Sequence, residues 1–281
     1  MPALRNGDGP LPSAWGSNGC FETMRAYEGR IFRLEQHLDR LKASAAFLGT
    51  PSPPGRRILK AQLVDALKRS GLREAVVRIA LIPPQAKRGS RRMRQRESLS
   101  SVVVQRIQVP PPSAYREGIR VAIVPGRAPA IAAITPQAKY SARLGSVLAV
   151  QEAQLRGVDE AIFMDASGYV TESTASNLGI IQHGTLLTSP CWAGLLGGIT
   201  RDVLCEVART LRVPLQEVPL TRYDLYNADE AFLSSTLKEV LAVTWIDGRR
   251  IGTGRPGPMT KHLHRAFHAL VRKELGQRHP V

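Results

Sequence analysis

The chain has 281 residues, 43% of them hydrophobic and 22% charged, with a formal net charge of +16. That length and balance fit one large globular domain or two of ordinary size. No apolar run reaches membrane-spanning length, Met1–Asn18 lacks the apolar core of a secretory signal, and Cys20, Cys191 and Cys205 are too scattered for a disulfide frame or a metal-ligand spacing, so a reduced, cytoplasmic protein without membrane contact is expected.

Leu34, Leu38, Leu41, Ala45 and Leu48 recur at helical spacing and predict an amphipathic helix over 33–48, ended by Gly49. A second helix is predicted over 56–70, with Leu59, Leu63 and Leu67 inward and Gly71 as its stop. Val76–Ile82 and Ser101–Gln108 are rich in β-branched residues and predict two strands joined by a basic loop. Six of the 39 basic residues lie in 86–96 with no acid between them, and the rest of the excess is spread along the chain. Such a field attracts anions but says nothing about fold. The run has no interleaved aromatic and matches no nucleic-acid-binding module, so it reads as a solvated loop.

Pro110-Pro111-Pro112-Ser113 breaks the chain and marks a linker between an N-terminal α/β domain, 1–109, and a C-terminal domain, 114–281. Beyond it, Ile119–Val124 is a predicted strand, and Leu144–Leu155 a helix with Leu144, Leu148 and Leu155 on one side. Glu160–Asp165, Tyr169–Glu172 and Leu178–Gln182 follow as strands with tight turns between them. A helix is predicted from near Thr200, then strands over Ala231–Ser235 and Val243–Ile246, then a last helix over about 260–275 with Leu263, Phe267, Leu270 and Val271 inward. Helices and strands intermingle without a regular βαβ repeat, which points to two domains of mixed α/β (α+β) type.

The chemistry concentrates between Lys139 and Arg201. Lys139 sits among small apolar residues, where partial desolvation lowers an amine's pKa and makes it a usable nucleophile or base. Glu172 closes a hairpin that turns at Asp165–Gly168; an inward carboxylate there needs a partner, either a protonated pyridine nitrogen or a base such as Arg201. Gly197-Gly198-Ile199-Thr200 lets backbone approach an anion at a helix start and offers Thr200 as cap and ligand. An amine, a carboxylate and a helix N-terminus in this order are what a protein needs to hold pyridoxal phosphate. Gly252-Thr253-Gly254-Arg255-Pro256-Gly257 fits G-x-G-x-x-G, but a proline stands where the helix must begin and only 24 residues follow, so it reads as a turn. His262 and His264 are two apart on a helix, face different ways, and are not expected to share a metal.

With these residues the chain resembles the class IV (fold type IV) pyridoxal-phosphate enzymes, a group of branched-chain aminotransferases, D-amino-acid aminotransferases and aminodeoxychorismate lyases. The resemblance runs from Gly19 to about Phe267. Its landmarks are Gly19–Arg25, His37-Leu38-Asp39-Arg40-Leu41, Lys139, Gly157–Ala161, Val170–Asn177, Gly198–Arg201, Ser235-Thr236 and Ile246-Asp247-Gly248. It implies a smaller N-terminal α/β domain and a larger C-terminal domain with the cofactor between them, in a homodimer. It further implies that Lys139 binds pyridoxal 5'-phosphate as a Schiff base and shuttles the proton, and that Glu172 pairs with the pyridine nitrogen. Arg40, the backbone at Ile199 and Thr200, and Thr236 would hold the phosphate, Gly198 and Ser235 would also belong to the cofactor-binding set, and Leu196 would pack on a ring face. Phe21, Thr236 and Leu237 would line the substrate.

Two stretches depart from the family pattern. Met1–Asn18, rich in Gly, Pro and Ser, stands where a strand normally precedes Gly19. Pro83-Pro84 and the basic run stand where aminotransferases often carry a residue for the substrate carboxylate. The activity implied is transfer of an amino group between an amino acid, branched-chain L- or D-, and a 2-oxo acid. The alternative is an aminodeoxychorismate lyase releasing 4-aminobenzoate and pyruvate, for which Gly19-Cys20-Phe21 and Arg143 look suited. A basic nucleic-acid-binding protein on an inactive enzyme fold is the reading from another class, and it rests on charge alone.

Overall fold

The computed structural model describes residues 19–51, 53–84, 98–125, 137–142 and 144–276. The basic run at 86–96, Arg143 and Met1–Asn18 lie outside them. The chain divides into two compact units. The N-terminal unit takes the described residues up to Gln108 and the short segment that begins at Ala138; the C-terminal unit takes the rest from Val109 onward. Lys139 therefore belongs with the first unit, although it follows the proline stretch.

In the N-terminal unit, β1 (Cys20–Tyr27) and β2 (Arg30–Ile31) form a hairpin, followed by α1 (Leu34–Phe47), α2 (Arg56–Ser70), β3 (Ala75–Ile82) and β4 (Leu99–Arg106). The strands make an antiparallel sheet in the order β2-β1-β3-β4. Leu38, Leu41 and Ala45 of α1 and Leu59, Leu63 and Leu67 of α2 cover it, packing on Met24, Val77, Ile79 and Leu81. These are the leucines whose spacing predicts the two helices. β1 shows no such alternation, because Glu22, Thr23 and Arg25 interrupt it, yet Glu22 is wholly buried.

A buried triad explains Glu22. His37 and Arg40 lie three apart on α1 and so share a face. The Glu22 carboxylate accepts Arg40 Nε at 2.7 Å and Nη2 at 2.8 Å, and contacts His37 Nδ1 at 2.8 Å. Burial alone would raise the Glu22 pKa; the charge and fork of Arg40, with the His37 hydrogen bond, reverse this and hold it well below the usual carboxylate range. Burial depresses the His37 pKa, against the pull of Glu22. The imidazole is thus neutral at pH 7, with Nδ1–H donating to the carboxylate.

In the C-terminal unit the order is α3 (Pro112–Glu117), β5 (Ile119–Pro125), α4 (Leu144–Leu155), β6 (Glu160–Met164), β7 (Val170–Ser173), β8 (Asn177–Gln182), β9 (Thr185–Thr188), α5 (Ile199–Thr210), β10 (Leu215–Glu217), α6 (Arg222–Tyr226), β11 (Glu230–Ser235), β12 (Glu239–Ile246), β13 (Arg249–Arg250) and α7 (Pro258–Glu274). The Pro110–Ser113 stretch thus carries the start of α3, with a proline in its first turn. The sheet runs β10-β9-β8-β11-β12-β5-β6-β7, and β7 pairs back onto β8, closing six strands into a ring. The seam is the pairing of Glu172 with Asn177. Ile119, Val121, Ile123, Leu178, Ile180, Leu233 and Leu241 are among the residues of its main core.

The helix α4 packs differently from the sequence expectation. Ala149 and Ala153 are its buried residues, set against Val124, Ala161 and Phe163, whereas Leu144 and Leu155 are 70% and 89% exposed. Small residues bring the helix close to β5 and β6, and the leucines lie on its other side.

In the triad, both folded-state pKa values are depressed, so the unfolded chain binds more protons on acidification. The His37 contribution is lost as pH falls below about 6.5, and that of Glu22 as it falls below about 4.3. Glu22→Gln is expected to cost about 3–5 kcal/mol at pH 7, by stranding Arg40, and to flatten the acid limb of a urea-unfolding series. An unchanged acid limb would contradict the pairing.

Candidate active site

In the N-terminal unit, the segment around Lys139 is held to the start of β1 like an added strand. Cys20 and Tyr140 form an antiparallel bridge, Phe21 N–H donates to Lys139 O at 3.1 Å, and Ser141 N–H donates to Gly19 O at 2.9 Å. Lys139 N–H donates to the buried Ser44 hydroxyl of α1 at 2.9 Å. Its backbone is fixed from two sides, while its half-buried side chain places Nζ 5.1 Å from the Phe21 ring centroid. An ammonium over an aromatic face is a stabilised cation. The charge on Lys139 also helps to depress the His37 pKa, after burial and Arg40. Amine, aromatic ring and the Glu22–His37–Arg40 triad therefore form one electrostatic group. Phe21 is almost wholly buried, and Arg40 gives Nε and Nη2 to Glu22.

In the C-terminal unit, ring closure brings Glu172 and Asn177 together. The half-buried Glu172 Oε2 accepts Leu196 N–H at 3.2 Å and Asn177 Nδ2 at 3.3 Å. The same Asn177 amide donates to Leu196 O at 2.8 Å, and a Cβ at position 198 would stand 1.9 Å from Asn177 Oδ1. Only glycine fits there, so Gly198 is required by close approach. Gly198 is the N-cap of α5 without a side-chain cap, and Thr200, the second residue of the helix, is not the cap that the sequence suggests. Twelve residues of aligned peptide dipole end at this point, where the first N–H groups have no partner within the helix.

Arg201, the base offered as a structural partner for Glu172, is engaged elsewhere. Its Nη2 donates to Glu217 at 2.7 Å and to Ser189 O at 3.0 Å. Ser235 ends β11, Thr236 and Leu237 form the turn into β12, and Ser234 pairs in register with Asn177. That register sets the turn beside the Glu172 corner. Lys238 N–H donates to Ser235 Oγ at 3.2 Å, and Lys238 Nζ forms a buried ion pair with Glu160, which also accepts the Thr174 hydroxyl. The turn is thus anchored by a charge pair deep in the unit.

None of the three cysteines is a ready nucleophile. Burial pushes the Cys20 thiol up to about 12 and raises those of Cys191 and Cys205, so all three stay protonated at neutral pH. Sequence reasoning missed Glu22, His37, Asn177, Glu160 and Lys238. Each braces a sequence-predicted residue directly or through a neighbour, and the signal for them was a polar residue on an otherwise buried strand, helix face or turn.

These residues fit pyridoxal phosphate by the chemistry of their donors. An amine sits against an aromatic ring, a carboxylate accepts two N–H groups, and a glycine-started helix presents N–H groups that an anion can take.

Comparison with known proteins agrees. The family described as amino-transferase class IV matches residues 19–246. A branched-chain-amino-acid aminotransferase of Pseudomonas aeruginosa is 36% identical over 274 residues, covering 90% of this chain and 84% of that one. The crystal structure of the Escherichia coli branched-chain amino acid aminotransferase superposes with a TM-score of 0.87 at 29% identity, covering 93% of this chain and 87% of that chain. A branched-chain amino acid aminotransferase from Thermobaculum terrenum, solved in its PLP-form, gives a TM-score of 0.82 at 26% identity, covering 94% and 87%. With its ring of strands, its tethered lysine and its glycine-started helix, this chain belongs to the class IV aminotransferases.

Proposed function

We propose that this protein is a pyridoxal-phosphate-dependent aminotransferase that moves the amino group of a branched-chain amino acid to a 2-oxo acid. The observation that carries the reading is the tethering of Lys139, whose backbone is bonded to β1 and to Ser44 while its amine remains beside Phe21. Similarity to a branched-chain enzyme over nine-tenths of the chain supports the substrate class.

When bound, pyridoxal phosphate supplies an electron sink that weakens the Cα–H bond of the amino acid. Lys139 Nζ would hold the cofactor covalently and, once displaced by the substrate's amino group, would be the base that moves the substrate Cα proton. Glu172, whose Oε2 accepts Leu196 N–H and Asn177 Nδ2, would pair with the pyridine nitrogen. The first N–H groups of α5 at Ile199 and Thr200, with Arg40 and Thr236, would hold the phosphate, Gly198 and Ser235 would border the cofactor, and Leu196 would pack on the ring. Phe21, Thr236 and Leu237 would line the substrate, with the turn at Ser235-Thr236-Leu237 near its carboxylate.

A homodimer is supported by the exposed leucine side of α4, which offers apolar surface to a second copy. Three thiols without a disulfide support a cytoplasmic setting.

Mixing the holoenzyme with leucine, valine or isoleucine of either hand, without an acceptor, should give one 2-oxo acid per bound cofactor and then stop. Continuous pyruvate release from aminodeoxychorismate, with no such half-reaction, would replace transamination by the lyase reading. Lys139→Ala is expected to lower the rate by about 10²–10⁴-fold or more. Glu172→Gln should retain the cofactor but slow transfer roughly 10²-fold; a rate equal to that of the unaltered protein would remove Glu172 from the mechanism.

A further inference from the structure

The helix α7 carries two histidines one turn apart, His264 and His268, and both turn toward Glu239, the first residue of β12. His264 Nε2 lies 3.0 Å from Glu239 Oε2, and His268 Nε2 lies 2.9 Å from the same oxygen. The two ring nitrogens are 3.1 Å apart. Glu239 is buried, His264 partly so, and the His268 side chain is 39% exposed. His262, the residue that sequence spacing set beside His264, is exposed and takes no part in the cluster. The i, i+4 partner is His268.

Protons alone satisfy this triangle poorly. A ring nitrogen has one in-plane site, occupied either by a proton or by a lone pair. His264 Nε2 therefore cannot donate to Glu239 and accept from His268 at once. If both nitrogens carry protons, two N–H groups crowd one oxygen; if one is bare, its lone pair faces the carboxylate. A single cation at the centre takes all three lone pairs together. Tetrahedral ligands at about 2.0–2.1 Å from zinc lie about 3.3–3.4 Å apart, so the three atoms need move outward by only a few tenths of an ångström.

The surroundings hold the donors in place. The Tyr115 ring stacks on His264 with centroids 5.5 Å apart and planes 17° apart, and its hydroxyl donates to Lys238 O at 3.1 Å. Orientation of a ligand ring by its neighbours is what tunes a metal site. Two imidazoles and one carboxylate favour zinc and its transition-metal neighbours over magnesium or calcium, which prefer an all-oxygen shell.

We propose that Glu239, His264 and His268 form a binding site for one divalent transition-metal cation of the zinc class, clipping α7 to the start of β12 and leaving a further coordination position to water on the exposed side of His268. The site uses none of the residues assigned to amino-group transfer, so it stands or falls independently of that reading.

The test is equilibrium dialysis of the chelator-stripped, full-length holoenzyme against zinc chloride, with thermal unfolding in parallel. About one zinc per chain should be retained, and the unfolding midpoint should rise with zinc concentration. His268→Ala and His264→Ala should each weaken zinc binding by about a hundredfold or more, beyond the loss typical of outer-shell changes. Each should also abolish the zinc-dependent rise in midpoint, with metal-free circular dichroism unchanged. His262→Ala should bind zinc as the unaltered protein does. Absence of retained zinc, or retention that survives both ligand substitutions, would overturn the proposal. Should either alanine variant fail to fold, cobalt substitution of the unaltered chain decides: intense visible bands of low-symmetry, histidine-bound cobalt support the site, and a weak octahedral aquo spectrum refutes it.

Discussion

The side-chain amide of Asn177 is the contact on which the Glu172 corner of the C-terminal unit depends. Its Nδ2 reaches both Glu172 Oε2 and Leu196 O, and its Oδ1 lies where any Cβ on residue 198 would stand. One amide thus joins the seam of a closed ring of strands to the approach of a helix. Remove it, and the carboxylate, the Leu196 backbone and the helix start lose their common reference. The seam is also where β7 would otherwise offer an unpaired edge, so closure removes an exposed strand edge as well as placing Glu172.

The N-terminal unit rests on a different principle, a charge neutralised in the interior. Glu22 is tolerated at zero exposure because Arg40 and His37 meet all its demands. The triad fixes α1 on β1, and α1 supplies Ser44, which holds Lys139. The added-strand arrangement of residues 139–141 beside β1 stiffens the Lys139 backbone, and the amine is carried beyond it on a four-carbon stem.

Much of this was legible in the sequence where burial is apolar and periodic. The helices α2, α5 and α7 follow from leucine, valine and phenylalanine spacing, and Lys139, Glu172 and the Gly197-Gly198 step stand out by residue type and order. Legibility fails where a polar group is buried with partners far away in the chain. β1 is hidden by Glu22, whose partners come from a helix that follows it. The alanine-faced contact of α4 is hidden by more conspicuous leucines that lie outside it. The partner of Arg201 is a glutamate sixteen positions on, which no local pattern marks. The convergence of His264 and His268 needs Glu239 from the preceding hairpin to give it meaning.

The central claim is that the amine of Lys139 carries the cofactor. Reducing the pyridoxal-phosphate-loaded protein with borohydride, digesting it and mapping the modified peptide by mass spectrometry tests this without any assumption about substrate. The account predicts one stable pyridoxyl-phosphate adduct per chain, on the peptide containing Lys139. An adduct on another lysine, or none at saturating cofactor, would contradict it.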